Sequence, residues 1–279
     1  MAPRGKVLSG LSVYVHGAGK VGRALASRLR AAGAKVTLRA ARDGVPRGAV
    51  RAKLVVLAVR DRDLAPLAAA LATRLERRAV CVHVAGALGP EVLAPLRGAC
   101  AGVAQMHPMI SFASKEHFPT LDRGNLRVAG DAPAVKVARR VARALGMTAR
   151  ELPGLDTIGY HAAAALVANG GAALAAIGAK LLARAGVPER DAPRLLGPLL
   201  RSVAENVEGL GFPDALTGPV RRGDPDAVRK HAALIAARVP EAMPLYRASV
   251  AAQLPLARTL GEGPPGSLEA IQQWLDDEK

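Results

Sequence analysis

The chain has 279 residues, half of them apolar and 22% charged, with a formal net charge of +16, a length that suits about two domains of ~150 residues each. That hydrophobicity excludes a disordered chain, and 2 cysteines cannot build a disulfide scaffold, so a reducing, cytoplasmic setting is expected. The basic surplus first suggests nucleic acid, but 3% aromatic residues offer few stacking platforms, and 30 Arg against 9 Lys in a chain rich in Ala, Gly and Pro reflects partly a compositional bias. Position is more informative: residues 1–154 hold 26 basic and 9 acidic residues, whereas 155–279 hold 13 and 14. The charge belongs to the first half.

The apolar run near the N-terminus passes into a glycine motif rather than a cleavage site, so no signal peptide is expected. Short Val/Leu-rich runs follow at Leu11 to His16, Ala34 to Leu38, Leu54 to Val59, Ala79 to Val84 and Val103 to Met106. Helical patterns separate them at Val21 to Ala32, Leu64 to Leu75 and Pro90 to Leu96. This alternation predicts a doubly wound parallel sheet of the Rossmann type, with helices on both faces. Leu126 to Ala129, a helix from Pro133 to Leu145 and a strand near Thr148 extend it. The first domain is therefore expected over 1–154. From 155 to 279 strand signals stop, and helices are predicted over 157–186, 188–209, 225–238 and 240–260, broken by Pro and Gly. The run between Asp156 and Lys180 is long enough to span a membrane, yet its Ala/Gly content with Tyr160, His161 and Asn169 predicts a buried helix of a soluble protein. Ser267 to Lys279, with Leu268, Ile271, Trp274 and Leu275 at helical spacing, is expected to pack on the Ala/Gly-rich helix.

The most informative motif is Gly17-Ala18-Gly19-Lys20-Val21-Gly22, placed between the first strand and the first helix. In that context Gly17 permits the turn, Gly19 admits a pyrophosphate close to the backbone, and Gly22 lets helix and strand pack. The spacing is not that of a P-loop. The second strand ends in Arg39-Ala40-Ala41-Arg42, where an acid would select NAD. Arg39, supported by Arg42, is expected to grip a 2′-phosphate, which favours NADP (NADPH) over NAD. Later strand ends, where open α/β sheets bind ligands, carry Val59-Arg60, His83 and His107 with Ser111.

In the helical half, His161 and Asn169 are eight residues apart on one helix, ~12 Å along it and ~80° around it, so they could flank one substrate. Thr217, Arg222 and Asp224 lie in a Gly/Pro-fixed turn, and Arg222 is a candidate partner for a substrate carboxylate. His83, His107, His117, His161 and Cys81 show no zinc-ligand spacing, and no metal is expected.

The segments GAGKVG, VHVAGAL, MHPMISFA, GYHAAAALVANG and LTGPVRRGD together resemble a family of Rossmann-like proteins whose helical C-terminal domain has no assigned function. That family is distantly similar to ketopantoate reductase, pyrroline carboxylate reductase and the 6-phosphogluconate dehydrogenase group. The resemblance implies an NADPH-dependent reductase of a small carboxylated carbonyl, ketopantoate-like, or of a cyclic imine, acting as a homodimer through the helical domain. Two departures stand out: Ala85 replaces a family Ser, and the first Lys of the long helix is Lys180, too late to match the proton-donating Lys of related reductases. His161 is then the expected general acid, with His107 as runner-up. A non-catalytic NADP-binding regulator remains the alternative, and neither nucleic acid nor membrane is an expected partner.

Overall fold

The computed structural model describes residues 7–277 and divides the chain into two compact units, Met1–Leu166 and Val167–Lys279. The first is built on β1 (Ser12–His16), α1 (Lys20–Ala31), β2 (Lys35–Arg39), β3 (Leu54–Leu57), α2 (Asp61–Leu71), β4 (Val80–His83), β5 (Gly102–Pro108), β6 (Asn125–Gly130), α3 (Ala132–Ala144) and β7 (Thr148–Arg150). The sheet order is β2-β1-β3-β4-β5-β6-β7. Strands β3 and β4 are buried at every residue, as continuous Val/Leu runs require when both sheet faces are covered. One face is packed by Val13, Val15, Leu25, Leu29, Leu54 and Val56, and the other by Val55, Leu57, Leu64, Leu71 and Leu93. Leu25 and Leu29 are fully buried, each contributing roughly 1.5–3 kcal/mol; they fasten α1, and hence its N-terminus, to the sheet.

Two expectations for this unit are corrected. β6 runs antiparallel to β5, because residues 109–124 hold no crossover helix and a parallel return needs one. Pro90–Leu96 is a 3₁₀ segment rather than an α-helix, since Pro95 inside it removes a backbone donor.

The second unit contains most of α4 (Thr157–Arg184), with α5 (Ala192–Leu210), α6 (Pro225–Arg238), α7 (Met243–Leu260) and α8 (Ser267–Asp277). Its core gathers Val228, Val250, Leu254, Ile271, Trp274 and Leu275. Helix α8 thus packs on α6 and α7, not on the Ala/Gly-rich helix as expected; Lys279 lies outside the described residues. The first turns of α4 belong to the first unit, which extends to Leu166 rather than ending near 154. The long helix also departs from its expected burial: none of its residues is buried within the chain. Its small side chains reach little apolar surface of the chain, and Leu166 and Val167 are each 76% exposed.

Candidate cofactor and catalytic site

The chain order of the strands reverses between β1 and β3, which is where open α/β sheets leave a crevice for ligands. A cleft of about 590 Å³ lies there, lined by Gly17–Gly19 after β1, Ala40–Arg42 after β2, and Ala58, Val59 and Arg60 after β3. The three glycines have distinct steric reasons. Gly17 has φ of +116°, and a Cβ on it would meet the Ala58 carbonyl oxygen at 2.2 Å. A Cβ on Gly22 would lie 1.8 Å from the Gly17 oxygen. Around Gly19 nothing lies within 4 Å of such a Cβ, so its hydrogen leaves the open space that a close-approaching ligand needs. No side chain caps α1, which leaves its first N–H groups free for an anion. Arg23, Arg42, Arg60 and Lys115 line the cleft against a single acid, Asp63. Cradle, free amides and cationic rim fit a dinucleotide's phosphates.

The expected cofactor residues divide on this geometry. Gly17, Ala18, Gly19, Arg42, Val59 and Arg60 line the cleft. Lys20 is exposed outside that lining, while Val21 packs into the core. Arg39 is not at the lining: its guanidinium donates to the carbonyls of Gly44, at 2.7 Å, and Asp43. It braces the loop that presents Arg42, a role invisible in sequence because its partners are backbone atoms. His83 likewise braces a loop. It is fully buried, accepts from the Ala85 N–H at Nδ1 (3.3 Å), and so donates from Nε2 to the Gly89 carbonyl (3.0 Å). Burial lowers its pKa to about 4.

A second cluster occupies the same sheet face as His83. Gln105 pairs with His83 across β4 and β5, and His107 with Arg127 across β5 and β6; Gln105 and His107 are two residues apart and therefore point the same way. Gln105 Nε2 donates to the Ala85 carbonyl at 2.7 Å. The start of α4 closes over the row: Thr157 donates to the Ala87 carbonyl at 3.0 Å. The Tyr160 hydroxyl lies 3.3 Å from His107 Nδ1, and the His107 and His161 rings are edge-on, 6.1 Å apart. A Cβ at Gly86 would sit 2.4 Å from His161 Nδ1 and 2.9 Å from His107 Nε2. The lack of a side chain at Gly86 thus lets both rings approach its backbone. Burial, then the neighbouring His161, Arg127 and His83, lower the His107 pKa to about 4. His107 is thus neutral near pH 7. Burial raises the Tyr160 pKa, keeping its hydroxyl protonated; it then donates to Nδ1 and assigns the His107 proton to Nε2.

The remaining expected residues are not brought into this cluster. Ser111 and Asn169 are exposed. In the second unit Thr217 and Arg222 are also exposed, while Asp224 accepts the Ala227 N–H at 2.9 Å as the N-cap of α6, a structural task rather than a substrate contact. Arg221, not Arg222, holds that turn, pairing with Glu262 at 2.6 Å and donating to the Leu216 carbonyl at 2.7 Å. Sequence reasoning reached Gly86 at the end of the fourth strand but passed over Gln105 and Arg127. Their signal was there: polar residues at alternate positions of two otherwise apolar strands, Val-Ala-Gln-Met-His and Leu-Arg-Val-Ala.

Fold and cradle define a Rossmann-type α/β protein with a helical C-terminal unit. Residues 38–108 match the model of a Rossmann-like domain, and residues 126–253 match that of DUF2520, a domain of unknown function. No curated protein sequence matches the chain. Among solved structures, a candidate NADP oxidoreductase from Bacteroides fragilis is similar at 20% identity, with 88% of this chain and 98% of that one covered and a TM-score of 0.68. A pyrroline carboxylate reductase from Plasmodium falciparum with NADP bound is similar at 14% identity over 90% and 99% of the two chains (TM-score 0.56). An imine reductase from Streptomyces aurantiacus is similar at 17% over 95% and 99% (TM-score 0.57). At these identities the likeness is one of fold.

Proposed function

We propose that the protein is an NADPH-dependent reductase of a small carbonyl or imine compound. The observation that carries the reading is the Gly17–Gly19–Gly22 cradle at the uncapped start of α1, with cations along its cleft. The related folds include enzymes that bind NADP or reduce imines, which supports the imine alternative more directly than a ketopantoate-like acid. Gly17–Gly19 would hold the pyrophosphate against the α1 amides, and Arg42 and Arg23 would meet a 2′-phosphate that a β2 carboxylate would repel. When bound, the reduced nicotinamide supplies a hydride to the substrate carbon.

The chain's own residues supply the proton. His161 Nδ1 and His107 Nε2 both lie against Gly86. The neutral His107, held by Tyr160, donates a hydrogen bond to the substrate oxygen or nitrogen, and the exposed His161 delivers the proton as general acid. Titration with NADPH and NADH, then a screen of 2-keto acids and cyclic imines for cofactor oxidation, tests the reading. Absence of NADPH binding at micromolar protein overturns it, and unchanged turnover in both His161→Ala and His107→Ala overturns the proton assignment. One observation favours a non-catalytic NADP-binding protein instead: the only lysine of α4, Lys180, is paired with Glu241 at 3.1 Å. Turnover in the screen decides between them.

We further infer a homodimer through the helical unit. Leu195, Leu199, Val203 and Val207 recur every fourth residue along α5 and are 38–58% exposed, a stripe that a second copy would cover. Light scattering of the purified protein tests this; a monomer at micromolar concentration refutes it.

A further inference from the structure

Arg127 stands in the middle of β6, 5% exposed, yet Nε and Nη1 of its guanidinium are buried without a hydrogen-bond partner. Among the described residues no carboxylate pairs with it. Its neighbours are neutral: the Tyr160 ring, whose centroid is 5.9 Å from the guanidinium carbon, and His107 directly opposite in register. Beside them Gln105, fully buried, leaves its Oε1 unpartnered. Buried charges are retained when something pairs with them, and a guanidinium is a planar fork that matches a carboxylate bidentately. One unpaired positive charge beside the neutral His107 calls for one negative charge, which favours a carboxylate over a phosphate.

The geometry points to Arg127 as the receptor for the carboxylate of the substrate, in a site completed by Tyr160, His107 and Gln105 on the same face of the sheet. This deepens the reductase reading and rests on it for the anion being a substrate's own. Because Arg127 and His107 are cross-strand neighbours, a carboxylate held there brings the atom attached to it toward the nitrogens of His107 and His161. The substrate class is then an acid whose reducible C=O or C=N adjoins the carboxylate: a 2-keto acid or a cyclic 2-imino acid. The arginine singled out from sequence, Arg222, is not needed for this contact.

The test is calorimetric titration of the full chain with pyrrole-2-carboxylate and with oxamate, each against its carboxamide, and with inorganic phosphate, with and without saturating NADP. Each acid is expected to bind wild type at least tenfold tighter than its amide. Arg127→Met removes that difference and Arg127→Lys retains part of it. Equal binding of acid and amide by wild type overturns the proposal with no variant involved. So do tighter binding of phosphate than of either acid, absence of acid binding with and without NADP, or acid binding within threefold of wild type in a folded Arg127→Met protein. Loss of binding in Arg222→Met but not in Arg127→Met also overturns it. A wild-type protein that binds the acids but not NADPH instead refutes the reductase reading and leaves the Arg127 site standing.

Discussion

Arg127→Met removes a charge that the folded chain buries without a partner, and the sign of its effect on stability separates two accounts of that residue. If the guanidinium exists for a ligand, the ligand-free protein bears its desolvation cost, which after relaxation is several kcal/mol for an ion in a protein interior. A Met side chain fills similar length with apolar atoms and leaves Nε and Nη1 with nothing to satisfy. Against this stands the loss of the contact with the Tyr160 ring, worth about 0.5–1 kcal/mol. The net expectation is a gain of about 2 kcal/mol, or a rise in Tm of ~4–8 °C for a unit of this size. Scanning fluorimetry or circular dichroism on cofactor-free protein reads it directly. Adding pyrrole-2-carboxylate at a hundred times its Kd should stabilise wild type by about 2.7 kcal/mol and the variant far less, so the order of stabilities narrows or reverses. A fall in Tm of several degrees for ligand-free Arg127→Met would mean that the guanidinium is satisfied inside the fold, and the reasoning from its orphaned nitrogens would fail.

Three further outcomes follow from other parts of the chain. Gly22→Ala should lower stability by several kcal/mol, because its Cβ would lie 1.8 Å from the Gly17 oxygen and backbone must move, whereas Gly19→Ala, with open space around it, should keep its Tm within a degree or two and lose at least tenfold in NADPH affinity by fluorescence titration. Asp224→Ala should cost about 1 kcal/mol through loss of the α6 N-cap, read as a lower denaturation midpoint. His83 and His107 have folded pKa values of about 4, below the ordinary 6.5, so between those values the unfolded chain binds more protons. Stability is therefore full above pH 6.5 and falls as pH drops toward 4, by up to about 3 kcal/mol per histidine; urea midpoints across pH 4–7 check this, and a flat profile refutes the buried neutral state.

How far the sequence carried depended on whether the relevant partner was local. The β1–α1 glycine motif, the seven strand positions and the α6–α8 helices were legible because hydrophobic period and turn residues act over a few positions. The direction of β6 was not, although the helix-free stretch 109–124 was visible, since strand direction follows from the connection and not from the strand. The bracing contacts of Arg39 and His83 were hidden for a different reason: their partners are the carbonyls of Gly44 and Gly89 and the N–H of Ala85, backbone groups that every residue carries and no sequence pattern marks. The capping role of Asp224 was legible in principle, since an Asp before Pro225 reads as a helix cap.

The basic surplus of the first 154 residues illustrates why charge located by sequence must be sorted by what it touches. Much of it is spent on backbone: Arg28 on the carbonyl of Pro119, Arg30 on that of Val36 and Arg39 on the turn after β2. Others, such as Arg97 with Asp131, form exposed pairs of small energetic consequence. The cations around the Gly17–Gly19 cleft face solvent and can steer a polyanion through their summed field, a contribution that added salt screens. Arg127 differs in kind, because it is buried and unpaired. A charge held in low dielectric is screened far less by salt and binds by direct contact, so raising ionic strength should weaken NADPH association more steeply than it weakens carboxylate binding at Arg127. Parallel titrations of the two ligands from 20 mM to 500 mM salt, on the order of a threefold change in Debye length or more, compare the slopes. Equal slopes would place Arg127 with the surface arginines and remove the distinction on which its assignment depends.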